Sequence, residues 1–121
     1  PDCLPGFELL TVKAIQSIGG NCSCSSWFDA LDWMKGEMDR LDYDICILGC
    51  GAYGLPLAAH AKRTGHKAIH LGGATQLLFG IRGRRWDNQE KYKTLFNKYW
   101  VRPDTNETPP TANAVEGGCY W

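Results

Sequence analysis

The chain reads as an α/β protein with a Rossmann-like parallel sheet and flanking helices. Three observations predict this. Tyr43 to Leu71 runs strand, glycine-rich turn, helix, strand, the order of one parallel crossover unit. An amphipathic helix precedes that unit and can cover the sheet. Hydrophobic residues make up 44% and charged residues 21% of the 121 residues, a balance that folds instead of staying disordered.

The elements follow in chain order. Phe7 to Ile18 carries Leu10, Val12, Ala14, Ile15 and Ile18, which fits an imperfect helical stripe or a strand followed by a turn. Gly19-Gly20-Asn21 ends it. Ser25 or Ser26 caps a helix running to about Asp39, with Asp29 in its first turn. Trp27, Leu31, Met34, Met38 and Leu41 share a face, which is most simply core. Ile45 to Leu48 is a short apolar run, as expected of a parallel strand buried on both faces.

Leu55 to Arg63 is the helix after the glycines. Pro56 sits in its first turn, where a missing N–H costs little, and Gly65 stops it. Lys67 to Leu71 is the second strand, reached by a right-handed crossover. Ala74 to Phe79 looks helical. Asn88 to Trp100 is polar and aromatic, with a helical reading open. Arg102 to Asn113 should be irregular, and Val115 to Trp121 is a candidate edge strand.

The length suits one domain spanning residues 1–121. A complete doubly wound domain is usually larger, so a domain incomplete at its N-terminus is expected, with a preceding segment in the parent protein. The 13 basic and 13 acidic residues cancel, which argues against a nucleic-acid partner. No apolar run has the length of a transmembrane helix. Six cysteines in a short chain invite a disulfide reading, but Cys46 falls in a strand and Cys50 in a tight turn. Cys22 and Cys24 are too close together for a zinc knuckle. Reduced thiols and a cytoplasmic location are expected. Asn21-Cys22-Ser23 and Asn106-Glu107-Thr108 match the glycosylation sequon, which carries no meaning in that compartment.

The turn holds Gly49, Gly51 and Gly54 in G-x-G-x-x-G spacing, with a strand before it and a helix after it. That context lets backbone approach a phosphate and aims a helix N-terminus at it. A nicotinamide or flavin site would place a carboxylate at the end of the second strand, where this chain has His70, Leu71 and Gly72. A methyltransferase would want one before the glycines, where Ile47 and Leu48 stand. The run GAYGLPLAAHAKRTGH is similar to the N-terminal turn of nucleotide-sugar dehydrogenases, but without their acidic residue.

A longer resemblance covers nearly the whole chain. The blocks LPGFELLTVKAIQSIGGN, WFDALDWMKGEMDRLDYDICILGCGAYGLPLAAHAKRTGHKAIHLGGATQLLFGIRGRRW, YWVRP and VEGGCYW resemble bacterial proteins with a GT-D-like domain. These are similar to the GT-D glycosyltransferases of polysaccharide and glycoprotein assembly. The resemblance implies a nucleotide-sugar partner, a divalent metal such as Mn and a role in glycoconjugate synthesis. In GT-D enzymes the second strand tends to end in Asp-x-Gly; here the equivalent is His70-Leu71-Gly72.

Several groups are candidates for that chemistry. Gly49, Gly51 and Gly54 would shape the donor site. Gly72 and Gly73 open a second turn, and Thr75 offers a hydroxyl. Arg82, Arg84 and Arg85 suit bidentate contact with phosphate, against the plainer reading of a solvated basic turn. Trp86 is either a stacking platform or a buried ring. Asp42-Tyr43-Asp44 is a D-x-D, but it precedes a strand and reads better as a polar lead-in. No motif identifies the catalytic base; His70 and Glu116 are the candidates. The expected function is nucleotide-sugar-dependent glycosyl transfer. The alternatives are an NAD-dependent nucleotide-sugar dehydrogenase fragment and a non-catalytic Rossmann-like module.

Overall fold

A computed structural model describes residues 4–17 and 22–121. The protein is mixed α/β, with helices around a small two-stranded parallel sheet. Helix α1 spans Trp27–Asp39. Ser26 Oγ accepts the Asp29 amide at 3.1 Å, which satisfies one of the free N–H groups at the helix start. Ala30, Leu31, Met34 and Met38 form its buried face.

Strand β1 spans Ile45–Leu48. A 3-10 turn at Gly51–Tyr53 leads into helix α2, Gly54–Arg63. Strand β2 spans Lys67–His70 and pairs with β1 in parallel, Ile45 opposite Lys67 and Leu48 opposite His70. The end of α2 follows from Gly65, whose φ is +94°. The Gly65 amide reaches the Lys62 carbonyl at 3.3 Å and the His66 amide reaches Ala61 at 2.9 Å. This paired closure needs a left-handed residue at 65, a conformation that costs glycine little.

One core joins α1, β1 and α2. Leu48, Tyr53, Leu57 and Ala61 close on the buried face of α1. Trp27 stacks on Tyr53 with ring centres 5.0 Å apart, and Tyr53 Oη donates to Ser17 Oγ at 2.9 Å. A second apolar centre lies later in the chain, where Trp86 is buried edge-on to Tyr92 at 5.2 Å. Around it stand α3 (Ala74–Leu78), α4 (Arg84–Asp87) and α5 (Glu90–Lys93).

Four expectations are corrected. β1 is covered on one face only: Cys46 and Leu48 face the core, while Ile45 is 49% exposed and Ile69, the partner of Ile47 on β2, 47%. A parallel strand is buried on both faces when helices flank the sheet on both sides; here α1 and α2 pack together on one side. Residues 7–16 form neither helix nor strand and leave Phe7, Leu9 and Leu10 exposed. The segment before Trp100 is helical only at Glu90–Lys93. Val115–Trp121 is not an edge strand; Glu116, Gly117 and Gly118 all take positive φ, which no ladder tolerates. Gly19, Gly20, Asn21 and Ile18 lie outside the described residues, as does Cys3. Cys22, Cys24, Cys46, Cys50 and Cys119 are free thiols.

Candidate functional site

The site is built where β1 and β2 end. The Leu48 carbonyl takes three donors: the Leu71 amide at 3.0 Å, the Gly72 amide at 3.2 Å, and His70 Nδ1 at 3.3 Å. This knot holds the Gly72-Gly73 turn beside the Gly49–Gly54 turn. A carbonyl oxygen only accepts, so His70 Nδ1 is the donor in the last contact.

The three glycines of the motif do three different things. A Cβ at Gly49 would lie 2.7 Å from Thr75 Oγ1 and 3.2 Å from the Gly72 carbonyl, so its hydrogen lets α3 approach β1. A Cβ at Gly54 would lie 2.1 Å from His70 Cε1, so its absence lets α2 pack over β2. Gly51 is different. Its φ is +53°, and nothing lies within 4 Å of the place a Cβ would take. The turn therefore presents bare backbone to open space at Gly51, directly before the ten-residue helix α2.

Thr75 Oγ1 is buried in this corner without a hydrogen-bond partner among the described residues. Buried hydroxyls are normally satisfied, and among the described residues this is the one buried side-chain nitrogen or oxygen without a partner. Gly73 touches the next layer: a Cβ there would lie 3.1 Å from Arg85 Nη1 and 3.0 Å from Tyr120 Cε1. The structure thus brings Gly49, Gly51, Gly54, Gly72, Gly73, Thr75, His70 and Arg85 to one edge.

The other arginines turn elsewhere. Arg82 donates from Nε and Nη2 to Asp87 Oδ1 at 3.0 and 2.9 Å and lies over the Phe96 ring. Arg84 Nη1 donates to the Gly117 carbonyl at 3.1 Å. Arg102 pairs with Asp87 as well. Burial raises the Asp87 carboxyl, but hydrogen bonds from Arg102 and Arg82 outweigh it and hold the group below its ordinary range. Arg85 pairs with Glu116 and donates from Nη1 to Tyr120 Oη at 2.9 Å.

Trp86 is no open platform. It is buried, and its Nε1 donates to Gln76 Oε1 at 2.9 Å. Gln76 Nε2 in turn donates to the Tyr120 carbonyl at 2.8 Å. The Asp42-Tyr43-Asp44 run lies at the far end of β1, where the Asp44 carbonyl accepts the Lys67 amide at 3.1 Å and Tyr43 stacks on His66. Asp87 and Tyr120 are partners that sequence reasoning missed. Asp87 has a faint signal, a lone carboxylate after three arginines; Tyr120 has none, because 35 residues separate it from Arg85.

Among the described residues, no group of three or more His, Cys, Asp or Glu side chains could hold a metal. The divalent ion implied by the family resemblance therefore finds no protein ligand set here. Comparison with known proteins adds no relative: no family model, no curated protein and no solved structure matches the chain.

Proposed function

We propose that the turn at Gly49–Gly54 binds the diphosphate of a nucleotide-sugar, and that the protein serves glycosyl transfer in polysaccharide or glycoconjugate synthesis on a Rossmann-like, GT-D-related fold. The observation that carries this reading is Gly51: a left-handed residue with open space over its α-carbon, at the C-terminal edge of parallel strands. Ligands of open parallel sheets bind at that edge. The start of α2 adds a partial positive charge facing the same space. Thr75 supplies a hydroxyl without a partner, and Arg85 a cation one residue layer away.

Each residue has a definite task in this reading. Backbone at Gly51 approaches the phosphates, Thr75 Oγ1 donates to an oxygen, and Arg85 neutralises charge on the leaving diphosphate. His70, anchored through Nδ1 to the Leu48 carbonyl at the end of β1, is the candidate base for an acceptor hydroxyl. Gly72 stands where a dinucleotide enzyme keeps its ribose-binding carboxylate, which sets the nicotinamide reading behind this one.

A thermal-shift screen of UDP-, GDP- and CMP-sugars, with and without Mn²⁺, tests the reading. At least one donor should stabilise the protein, and Gly51→Ala should weaken that donor at least tenfold. Gly65→Ala is the control. It forces a side chain into the same backbone region with open space around it, at the other end of α2. It should lower stability and leave donor affinity alone. A donor that binds Gly51→Ala as tightly as the parent would sink the turn as the site.

A further inference from the structure

Glu116 sits in a conformation its residue type disfavours. Its φ is +48°, and Gly117 and Gly118 follow at +67° and +73°. Glycine adopts this region freely; a residue with a β-carbon stays there when its surroundings hold it. The holding groups are all in one cluster. The Glu116 carboxylate pairs with Arg85 through Oε2 and accepts the Tyr120 hydroxyl on Oε1 at 3.3 Å. Cys119 Sγ lies 3.6 Å from Oε2. The Arg85 guanidinium also lies over the Tyr120 ring, 4.8 Å from its centre. Backbone bonds complete the clasp: the Arg85 amide donates to the Cys119 carbonyl at 2.8 Å and the Arg84 amide to Trp121 at 3.2 Å.

Location gives this cluster its meaning. A Cβ at Gly73 would meet Tyr120 and Arg85 first and then Trp86, and a Cβ at Gly49 would meet the carbonyl of the preceding Gly72. The Arg85 cation beside the Gly72-Gly73 turn is thus already satisfied by a carboxylate of the same chain. A carboxylate and a phosphate oxygen make the same charge-assisted contact to a guanidinium. We propose that Glu116 is an internal anion competing with a ligand diphosphate for Arg85, so that residues 116–121 form a latch that the ligand releases from Gly73. The proposal rests on the diphosphate reading of the glycine turn. It adds a device to that reading: the closed latch scales apparent affinity down to the fraction of molecules in which Arg85 is free of Glu116.

Calorimetry with UDP and with inorganic pyrophosphate, on the parent chain and on Glu116→Gln, tests it. The amide keeps the side-chain length and removes the charge. Glu116→Gln should bind both probes about tenfold more tightly than the parent. Glu116→Gly, which also relieves the left-handed backbone, should bind at least as tightly. Hydrogen exchange is the second readout. The Arg84 and Arg85 amides should exchange faster in Glu116→Gln without ligand, and faster in the parent once UDP is saturating. Equal UDP affinity in parent and Glu116→Gln would overturn the latch and leave the diphosphate site standing. A gain for UDP with none for pyrophosphate would overturn the competition at Arg85. If neither protein binds either probe, the diphosphate reading falls and the latch with it.

Discussion

Gly54 and His70 share one space, and the sharing can be measured. A methyl at 54 would meet the His70 ring at 2.1 Å, far inside van der Waals contact. Gly54→Ala should therefore cost about 1–3 kcal/mol of stability by overpacking. In a His70→Ala background the same change should cost little, since the ring is gone. Urea unfolding of the four proteins in a double-mutant cycle reads the coupling directly; additive effects would show that the two residues do not compete. The Asp87 carboxylate is the other decisive residue, because it holds both Arg82 and Arg102. Its folded pKa is depressed, so its contribution is present above the ordinary carboxylate pKa and is lost as pH falls through the folded value. Asp87→Asn should cost about 1–2 kcal/mol at neutral pH. Its stability should also fall less steeply than the parent's below about pH 4, in chemical unfolding followed across pH. At this scale the glycines were legible in the sequence, since G-x-G-x-x-G spacing reports a backbone requirement directly. The pairing of the arginines was not. Spacing cannot show that Arg82 turns to Asp87 while Arg85 turns to residues over thirty positions away.

Elements were legible where a local signal agreed with the tertiary one. Helix α1 has a capping serine, an acidic first turn and a period of apolar residues, and its observed bounds follow them. Met34 is at the centre of its buried face, with 1% exposure. Met34→Ala should lose about 2–5 kcal/mol, seen as a lower urea midpoint at unchanged slope. The same reading failed for β1. Its apolar run is that of a strand covered twice, yet Ile45 and Ile47 look outward beside Ile69. Hydrophobic composition states what a strand could bury, and only the placement of α1 and α2 decides what it does bury. The closing VEGGCYW run misleads for a related reason. Its Val, Cys, Tyr and Trp suit a strand, but two adjacent glycines and the Arg85–Glu116 pair favour a left-handed turn instead.

Over the whole molecule, two packed centres meet at the sheet edge. The first, around Met34, Leu48 and Leu57, builds the strand–turn–helix unit that displays Gly51. The second, around Trp86, carries Arg85 and the terminal residues that reach back to Gly73. Within the second centre Gln76 ties Trp86 to the chain's last residues, since its side-chain amide bonds both Trp86 and the Tyr120 carbonyl from within α3. None of the described helices is long and apolar enough to cross a membrane. The central claim is that Gly51 faces a diphosphate. Its most direct test is an amide chemical-shift titration of the protein with the best-binding nucleotide-sugar. The account predicts saturable shifts at the amides of residues 49–54 and 72–75, with Gly51 and Ala52 among the largest. Shifts confined to other surfaces, with the 49–54 amides unmoved at saturation, would contradict it.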